Sequence, residues 1–227
     1  ARATLVSDFR RAGWRTVAVM PAITRAWPEG SFFGYDRIYD RDGLGYRGLP
    51  FNWVTMPDQF TLAAFDRAER ELRGRRPVFA EIALISSHAP WTPIPSLLSW
   101  DAVGDGSVFN GQATEGDPPD VVWRDPERVR LQYRLSIEYA LANLTSYVAA
   151  KGDENLVLLV LGDHQPAPLI TGEDATRDVP VHLIAADPKV LDAATAWGWT
   201  AGLLPDPSRP PEPMEDVRTR LLSSFTP

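Results

Sequence analysis

The segment Pro77–Ser86, PVFAEIALIS, decides the fold class. It is an almost continuous apolar run of strand length, with apolar residues at successive rather than alternate positions. A strand of this kind has both faces covered, which is typical of a parallel sheet that lies between layers of helices. The segment Asn155–Leu161, NLVLLVL, has the same character. The sequence therefore predicts at least two strands that are buried on both faces.

Extended and helical patterns alternate on either side of these two segments. Two further strands are predicted, at Arg15–Met20 and Val179–Ala185. Five helices are predicted, over residues 4–12, 57–73, 125–152, 188–196 and 214–225. Alternation of this kind is typical of α/β proteins. We therefore predict an α/β fold with a mostly parallel central sheet and helices on both faces, in a single domain over residues 1–227.

Three segments lack a regular pattern. Residues 27–54 are rich in aromatic residues and glycine, which indicates loops and short helical turns. Residues 101–120 are rich in Gly, Asp and Pro, and they predict a long, mobile loop. Residues 205–213, PDPSRPPEP, predict a Pro-rich tether.

Composition excludes several classes of site. The chain has 227 residues, a formal net charge of -7 and no cysteine. The negative charge disfavours a nucleic-acid partner, since no run of Lys and Arg stands out and Arg73, Arg75 and Arg76 lie at the end of a predicted helix, where cations are common. The lack of cysteine excludes disulfides and cysteine-bound zinc. No apolar run reaches the roughly 18 residues that a membrane-spanning helix needs.

The chain contains three histidines, and two of them follow predicted buried strands. His88 follows the first strand, and His164 follows the second, directly after Asp163. If the sheet is parallel, both histidines lie at its carboxyl edge, where ligands bind in such folds. His182 lies inside a predicted strand, so we interpret it as structural.

Asp163 and His164 are candidate metal ligands, because carboxylate oxygen and imidazole nitrogen both bind Zn²⁺, Mn²⁺ and related ions. The alternative is a polar loop that Asp163 caps, with His164 on the surface. His88 could donate a hydrogen bond to an anionic oxygen or protonate a leaving group. Its alternative is a loop histidine that caps the strand and packs on Trp91. No Gly-rich phosphate loop and no G-x-S-x-G motif is present.

A set of motifs in the right order resembles the alkaline-phosphatase/sulfatase superfamily. The central motif is Gly162-Asp163-His164, at the end of a strand. The others are Trp27 followed by FGYDRIYD at residues 33–40, the strand that ends in HAPW at residues 88–91, and YRLSIEY at residues 133–139. The most similar branch is that of the sulfatase-like enzymes that include lipoteichoic acid synthases.

This resemblance implies specific roles. Asp163 and His164 would bind one divalent metal (Mn, Mg, Ca or Zn), His88 would contact the phosphate or sulfate group, and Trp27 would line the substrate pocket. In the family, the nucleophile and another acidic metal ligand precede the opening helix. The resemblance therefore implies that this chain is the C-terminal part of a catalytic domain, lacks the nucleophile, and has little turnover alone.

The function expected from this resemblance is metal-dependent transfer or hydrolysis of a small or lipid-linked phosphate or sulfate ester, for example of cell-envelope glycans or lipids. It also implies an extracytoplasmic protein that is anchored to the membrane. A non-catalytic binding or assembly module with a vestigial metal site is the alternative, and a hydrolase that uses His88 with a nearby nucleophile is a third reading. We further expect a homodimer through an unpaired sheet edge.

Overall fold

The computed structural model describes residues 3–225. Contacts divide the chain into two compact units, Ala1–Ala150 and Lys151–Pro227. Each unit has its own sheet. The α/β class and a parallel sheet flanked by helices are confirmed. The expectation of one domain over the whole chain stays a prediction.

The sheet of the first unit has three parallel strands in the order β2-β1-β3. Strand β1 is Arg15–Met20, β2 is Arg37–Asp40 and β3 is Val78–Ile82. In the register, Val17 lies between Arg37 of β2 and Ala80 of β3. All three strands therefore end at the same edge of the sheet.

Position in the sheet explains the burial of each strand. The central strand β1 is buried from Thr16 to Met20. Strand β3 is only half-buried, so the prediction that it is covered on both faces is wrong. It is also shorter than the apolar run that predicted it, because its ladder with β1 ends at the pair Val19 and Ile82.

The helices of the first unit begin with recognisable caps. Helix α1, Leu5–Arg11, has a capping box in which Thr4 and Ser7 each accept the other's backbone N–H. Helix α3, Asp58–Phe65, continues as a π-helical turn at Asp66–Arg70. The long helix α6, Pro126–Lys151, begins after Asp125, whose carboxylate accepts the Glu127 N–H at 2.9 Å. The remaining short helices are α2, Gly30–Phe33; α4, Asn110–Ala113; and α5, Pro119–Val122.

Residues 101–120 differ from the long mobile loop that the composition predicted. They contain helical turns, including a 3₁₀ turn at Ser107–Phe109. Val103 and Phe109 are fully buried in the core of the first unit, together with Phe51, Met56 and Phe60. The segment is therefore anchored by apolar side chains whose spacing follows no simple period.

The second unit contains a two-stranded antiparallel sheet. Strand β4 is Val157–Leu161 and β5 is Val181–Ala185, with Leu159 opposite Leu183. A continuous apolar run predicted a parallel partner for β4, and this expectation is wrong. Three helices complete the unit: α7, Pro168–Thr171; α8, Pro188–Ala196; and α9, Asp216–Phe225. Residues 205–213 form neither helix nor strand.

Within residues 3–225, no helix has the length and apolar character that a membrane span requires.

Candidate functional site

Asp163 and His164 lie in the second unit, just beyond the end of β4. The strand ends at Leu161, and Gly162 separates it from the pair. Both side chains are open to solvent, with 89% of Asp163 and 72% of His164 exposed. This exposure leaves both groups accessible to an ion from solution.

Local hydrogen bonds fix which atoms of the pair are available. The backbone N–H of His164 donates to Oδ1 of Asp163 at 2.9 Å. Nδ1 of His164 lies 2.8 Å from the carbonyl oxygen of Gln165, which can only accept, so Nδ1 carries the proton in this contact. In the neutral ring, the lone pair is then on Nε2. Metal-binding histidines are oriented in the same way by a carbonyl partner.

The two available atoms have the separation of ligands around one ion. Nε2 of His164 and Oδ2 of Asp163 are 3.5 Å apart. Two ligand atoms at typical zinc distances in a tetrahedral site would be separated by about 3.4 Å. The pair therefore fits two positions of a metal coordination shell.

The remaining ligands are not supplied nearby by the part of the chain that the structure describes. No group of three or more His, Cys, Asp or Glu side chains suited to a metal occurs among residues 3–225. Stable protein sites generally have three or four protein ligands. Asp163 and His164 thus fit half of a metal site.

His88 lies in the first unit, in the loop that follows β3. Its Nδ1 is 2.7 Å from the carbonyl oxygen of Ala89, so Nδ1 again carries the proton and the lone pair of the neutral ring is on Nε2. The ring stacks on Trp53, with centroids 4.1 Å apart and an angle of 22° between the planes. Two contacts therefore fix the orientation of this exposed imidazole.

The sequence did not identify Trp53 as the partner of His88. The alternative reading placed His88 on Trp91, but Trp91 is buried, stacks on Trp123 and donates its Nε1–H to the carbonyl of Ser87. Trp53 lies in a tight turn that a bridge between Phe51 and Val54 closes. The available signal was Asn52, which adopts φ 60° there, a conformation that asparagine tolerates better than most residues.

A buried carboxylate holds the start of the His88 loop, and this residue was also missed. Asp58 is fully buried, and its Oδ1 accepts the backbone N–H groups of Ile85 and Ser86, both at 2.9 Å. The N–H of Asp58 donates to Oγ of Ser86 at 2.9 Å. Burial raises the pKa of Asp58 above its ordinary value. In the sequence, Asp58 is an ordinary acid in the first turn of a helix, and nothing there indicates its partners.

Trp27 is half-buried and packs within the first unit. Its ring lies 6.1 Å from that of Phe33, and it covers Gly30 so closely that a Cβ there would be 2.7 Å from the indole. The predicted role of Trp27 in a substrate pocket stays a prediction. His182 has the character expected of a structural histidine, since its Nε2 lies 2.9 Å from the carbonyl oxygen of Leu203.

The two predicted histidines do not follow strands of one sheet. His88 follows β3 in the parallel sheet, and His164 follows β4 in the antiparallel sheet. The expectation of one shared parallel edge for both therefore does not hold. Their individual roles stay predictions.

No protein-family model and no curated protein matches this sequence. Among solved structures, the chain is similar to the crystal structure of the lipoteichoic acid synthase LtaP from Listeria monocytogenes, with 15% sequence identity and a TM-score of 0.44. The match covers 72% of this chain and 37% of that chain. This synthase belongs to the branch that the sequence motifs resemble. At this level of similarity, the match assigns no role to any residue of the present chain.

Proposed function

We propose that Asp163 and His164 hold one divalent metal ion in a sulfatase-like or phosphotransferase-like enzyme that acts on phosphate or sulfate esters. The observation that carries the proposal is the 3.5 Å separation between Oδ2 of Asp163 and Nε2 of His164, with both side chains open to solvent. Zn²⁺ and Mn²⁺ suit this pair of donors best, since imidazole and carboxylate are both among their preferred ligands.

A metal at this pair would supply positive charge for an anionic ester and lower the pKa of a bound nucleophile. Asp163 would contribute its carboxylate charge, and the Gln165 carbonyl would keep Nε2 of His164 turned toward the ion. Further ligands would come from other residues of the whole protein, from water or from the ester itself.

His88 has a separate role in this proposal. Its Nδ1–H is already engaged with the Ala89 carbonyl, so only Nε2 remains for a ligand. In the protonated ring, Nε2–H would donate to an oxygen of the phosphate or sulfate group. The stack on Trp53 would hold the ring in position for this contact, since a protonated imidazole over an indole face is also favoured electrostatically.

The partners and location follow the same proposal. The substrate would be a small or lipid-linked ester, for example of a cell-envelope glycan or lipid, and the whole protein would work outside the cytoplasm with a membrane anchor. A homodimer through a sheet edge is part of the proposal; β2 and β3 are the edge strands of the first unit's sheet as described.

The ester is tested by ³¹P relaxation with phenyl phosphate and Mn²⁺. We expect the chain to enhance the relaxation of the ester phosphorus beyond the effect of free Mn²⁺, and Asp163→Ala to remove the enhancement. In a separate ³¹P titration without Mn²⁺, His88→Ala should weaken the binding of phenyl phosphate, and it should leave Mn²⁺ binding, followed by water relaxation, unchanged. Enhancement equal to that of free Mn²⁺ in the wild-type chain would contradict the proposal.

The second candidate is a non-catalytic module with a vestigial metal site, and the high exposure of both ligands favours it. An ion held by two exposed side chains could stabilise a loop without contacting an ester. The same experiment separates the candidates: the vestigial site predicts Mn²⁺ binding that Asp163→Ala removes, with no effect on the ester phosphorus.

A further inference from the structure

An open cleft lies in the first unit, within residues 41–55. Its volume is about 450 Å³, which is in the range of small-molecule sites. The residues that matter for its chemistry are Arg41, Arg47, Tyr46, Thr55, Gly45 and Gly48. Glycine at position 48 lets the phenol of Tyr46 pack against the backbone, since a Cβ there would collide with it, and Gly45 adopts φ 74°.

Two guanidinium groups are the cations of the cleft. Arg41 is 44% exposed and donates only its Nε–H, to Asp42 at 2.8 Å, so both terminal nitrogens remain available. Arg47 has an exposed side chain without a hydrogen bond to any residue that the structure describes. A guanidinium group presents five N–H donors, and its planar fork matches the oxygens of a phosphate or sulfate group.

The acids around the cleft are held by other partners. Asp40 accepts the Gly43 N–H at 2.7 Å, and Asp105, which is close enough to Arg47 for electrostatic attraction, accepts the N–H and hydroxyl of Ser107 at 3.0 and 2.8 Å. Asp42 is 76% exposed, so its pairing with Arg41 is weak in water. An entering anion would therefore compete with two exposed carboxylates, Asp42 beside Arg41 and Asp105 near Arg47, and not with a buried ion pair.

The neutral polar groups of the cleft suit an anion with an organic body. Burial raises the pKa of Tyr46 to about 12, so the phenol stays neutral, and its hydroxyl donates to the Leu49 carbonyl at 3.1 Å. The ring of Tyr46 then offers an uncharged surface. Oγ1 of Thr55 donates to the Pro21 carbonyl at 2.7 Å and still has a lone pair to accept a hydrogen bond.

The cleft lies where parallel sheets bind ligands. Arg41 directly follows the end of β2, and Thr55 contacts Pro21, which directly follows the end of β1. Two residues before Thr55, Trp53 stacks on His88 after β3. The carboxyl ends of all three strands are thus linked through the turn at residues 51–55.

We propose that this cleft binds an anionic small molecule, an organic phosphate or sulfate monoester such as a sugar phosphate, between the guanidinium groups of Arg41 and Arg47. This inference rests on the geometry of the first unit alone and requires neither the metal nor Asp163.

The test is an NMR titration with glucose 6-phosphate in the presence of EDTA, at constant ionic strength, observing arginine Nε–H signals and backbone amides. We expect saturable shifts at Arg41 and Arg47 and at amides of residues 45–55. Arg47→Gln should weaken binding at least fivefold, and Arg47→Lys less so, because lysine keeps the charge but loses the fork. Arg134→Gln, which removes an exposed charge from α6, is the matched control and should leave binding unchanged.

Three results would overturn the proposal: no saturable shift up to tens of millimolar ligand, shifts that NaCl reproduces at equal ionic strength, or affinity that Arg47→Gln leaves intact while its amide spectrum shows a folded protein. Asp163→Ala should not change the titration. A normal titration in a protein that fails to bind metal would leave the cleft established and the proposed enzyme function refuted.

Discussion

At the scale of single residues, the buried carboxylate of Glu69 joins three elements of the first unit. Glu69 is 1% exposed. Its Oε1 accepts hydrogen bonds from Nη2 of Arg15 and from the hydroxyl of Tyr39, both at 2.6 Å. Burial alone would raise the pKa of Glu69, but the hydrogen bonds from Arg15 and Tyr39 outweigh it and hold the pKa below its ordinary value. The cluster ties the π-helical turn to β1 and β2.

Glu69→Gln is therefore expected to lower the free energy of unfolding by about 2 to 3 kcal/mol at pH 7, because it removes one partner of an ion pair that is buried on one side. A carboxyl whose pKa is lowered by folding stabilises the folded state above its unfolded pKa, near 4.5. This contribution is lost as the pH falls through the folded pKa. Urea unfolding from pH 7 to pH 3 should show that the difference in free energy of unfolding between wild type and Glu69→Gln shrinks below about pH 4.5. A difference that is constant with pH would contradict this assignment.

At the scale of elements, Asp58 joins the start of α3 to the segment that follows β3. Oδ1 accepts two backbone N–H groups there, and no other buried acceptor replaces it among the described residues. Asp58→Ala should lower the free energy of unfolding by about 2 to 3 kcal/mol, since buried donors lose their acceptor. Asp58→Asn should cost less, because an amide oxygen accepts the same N–H groups.

Urea unfolding measures the loss of stability in the two Asp58 variants. Asp120→Ala is the control, because Asp120 is an acid of the same unit whose side chain is 73% exposed. Burial raises the pKa of Asp58, so its charged form is disfavoured in the folded state. The free energy of unfolding of the wild type should therefore fall as the pH rises above the ordinary pKa of an aspartate. Asp58→Asn should remove that trend. Equal losses for Asp58→Ala and Asp58→Asn would argue against the acceptor role.

The elements that were predicted correctly are those with strong local signals. Strand β1 and helix α8 have the predicted bounds, and α6 begins after the predicted Asp125 cap. Strand β2 was missed because its four residues, RIYD, are too few to show a period among the surrounding aromatic residues. The pairing of β4 could not be predicted, since a continuous apolar run reports burial and says nothing of the direction of the neighbouring strand.

The residues of the candidate site also differ in whether the sequence could reveal them. The Asp163 and His164 pair could be found in the sequence because its members are adjacent and follow a strand. Trp53 and Asp58 could not, because their partners His88 and Ser86 lie 35 and 28 residues away. Contacts over such distances depend on the packing of the first unit and leave no local pattern.

At the scale of the whole molecule, the two units differ in how much apolar surface they bury. Of the buried apolar side chains that the structure describes, all but Ala194 lie in the first unit. The strand ends Val157 and Leu161 are 48% and 45% exposed. Less buried apolar surface means a smaller free energy of local opening.

Native-state hydrogen exchange should therefore show amides of β4 and β5 exchanging at least tenfold faster than those of β1. Strand β1 is the fair comparison because its amides lie in a parallel ladder between two partners. Exchange measured by NMR or by mass spectrometry resolves the two strand groups. Equal protection in both sheets would mean that the two units open together.

The central claim is that Asp163 and His164 bind a divalent metal, and calorimetric titration of Zn²⁺ and Mn²⁺ tests it most directly. We expect weak binding at one site to the wild-type chain, loss of that binding in Asp163→Ala and in His164→Ala, and no change in Asp174→Ala, an exposed acid of the same unit. The absence of binding to the wild type, or binding that survives in Asp163→Ala, would contradict the claim.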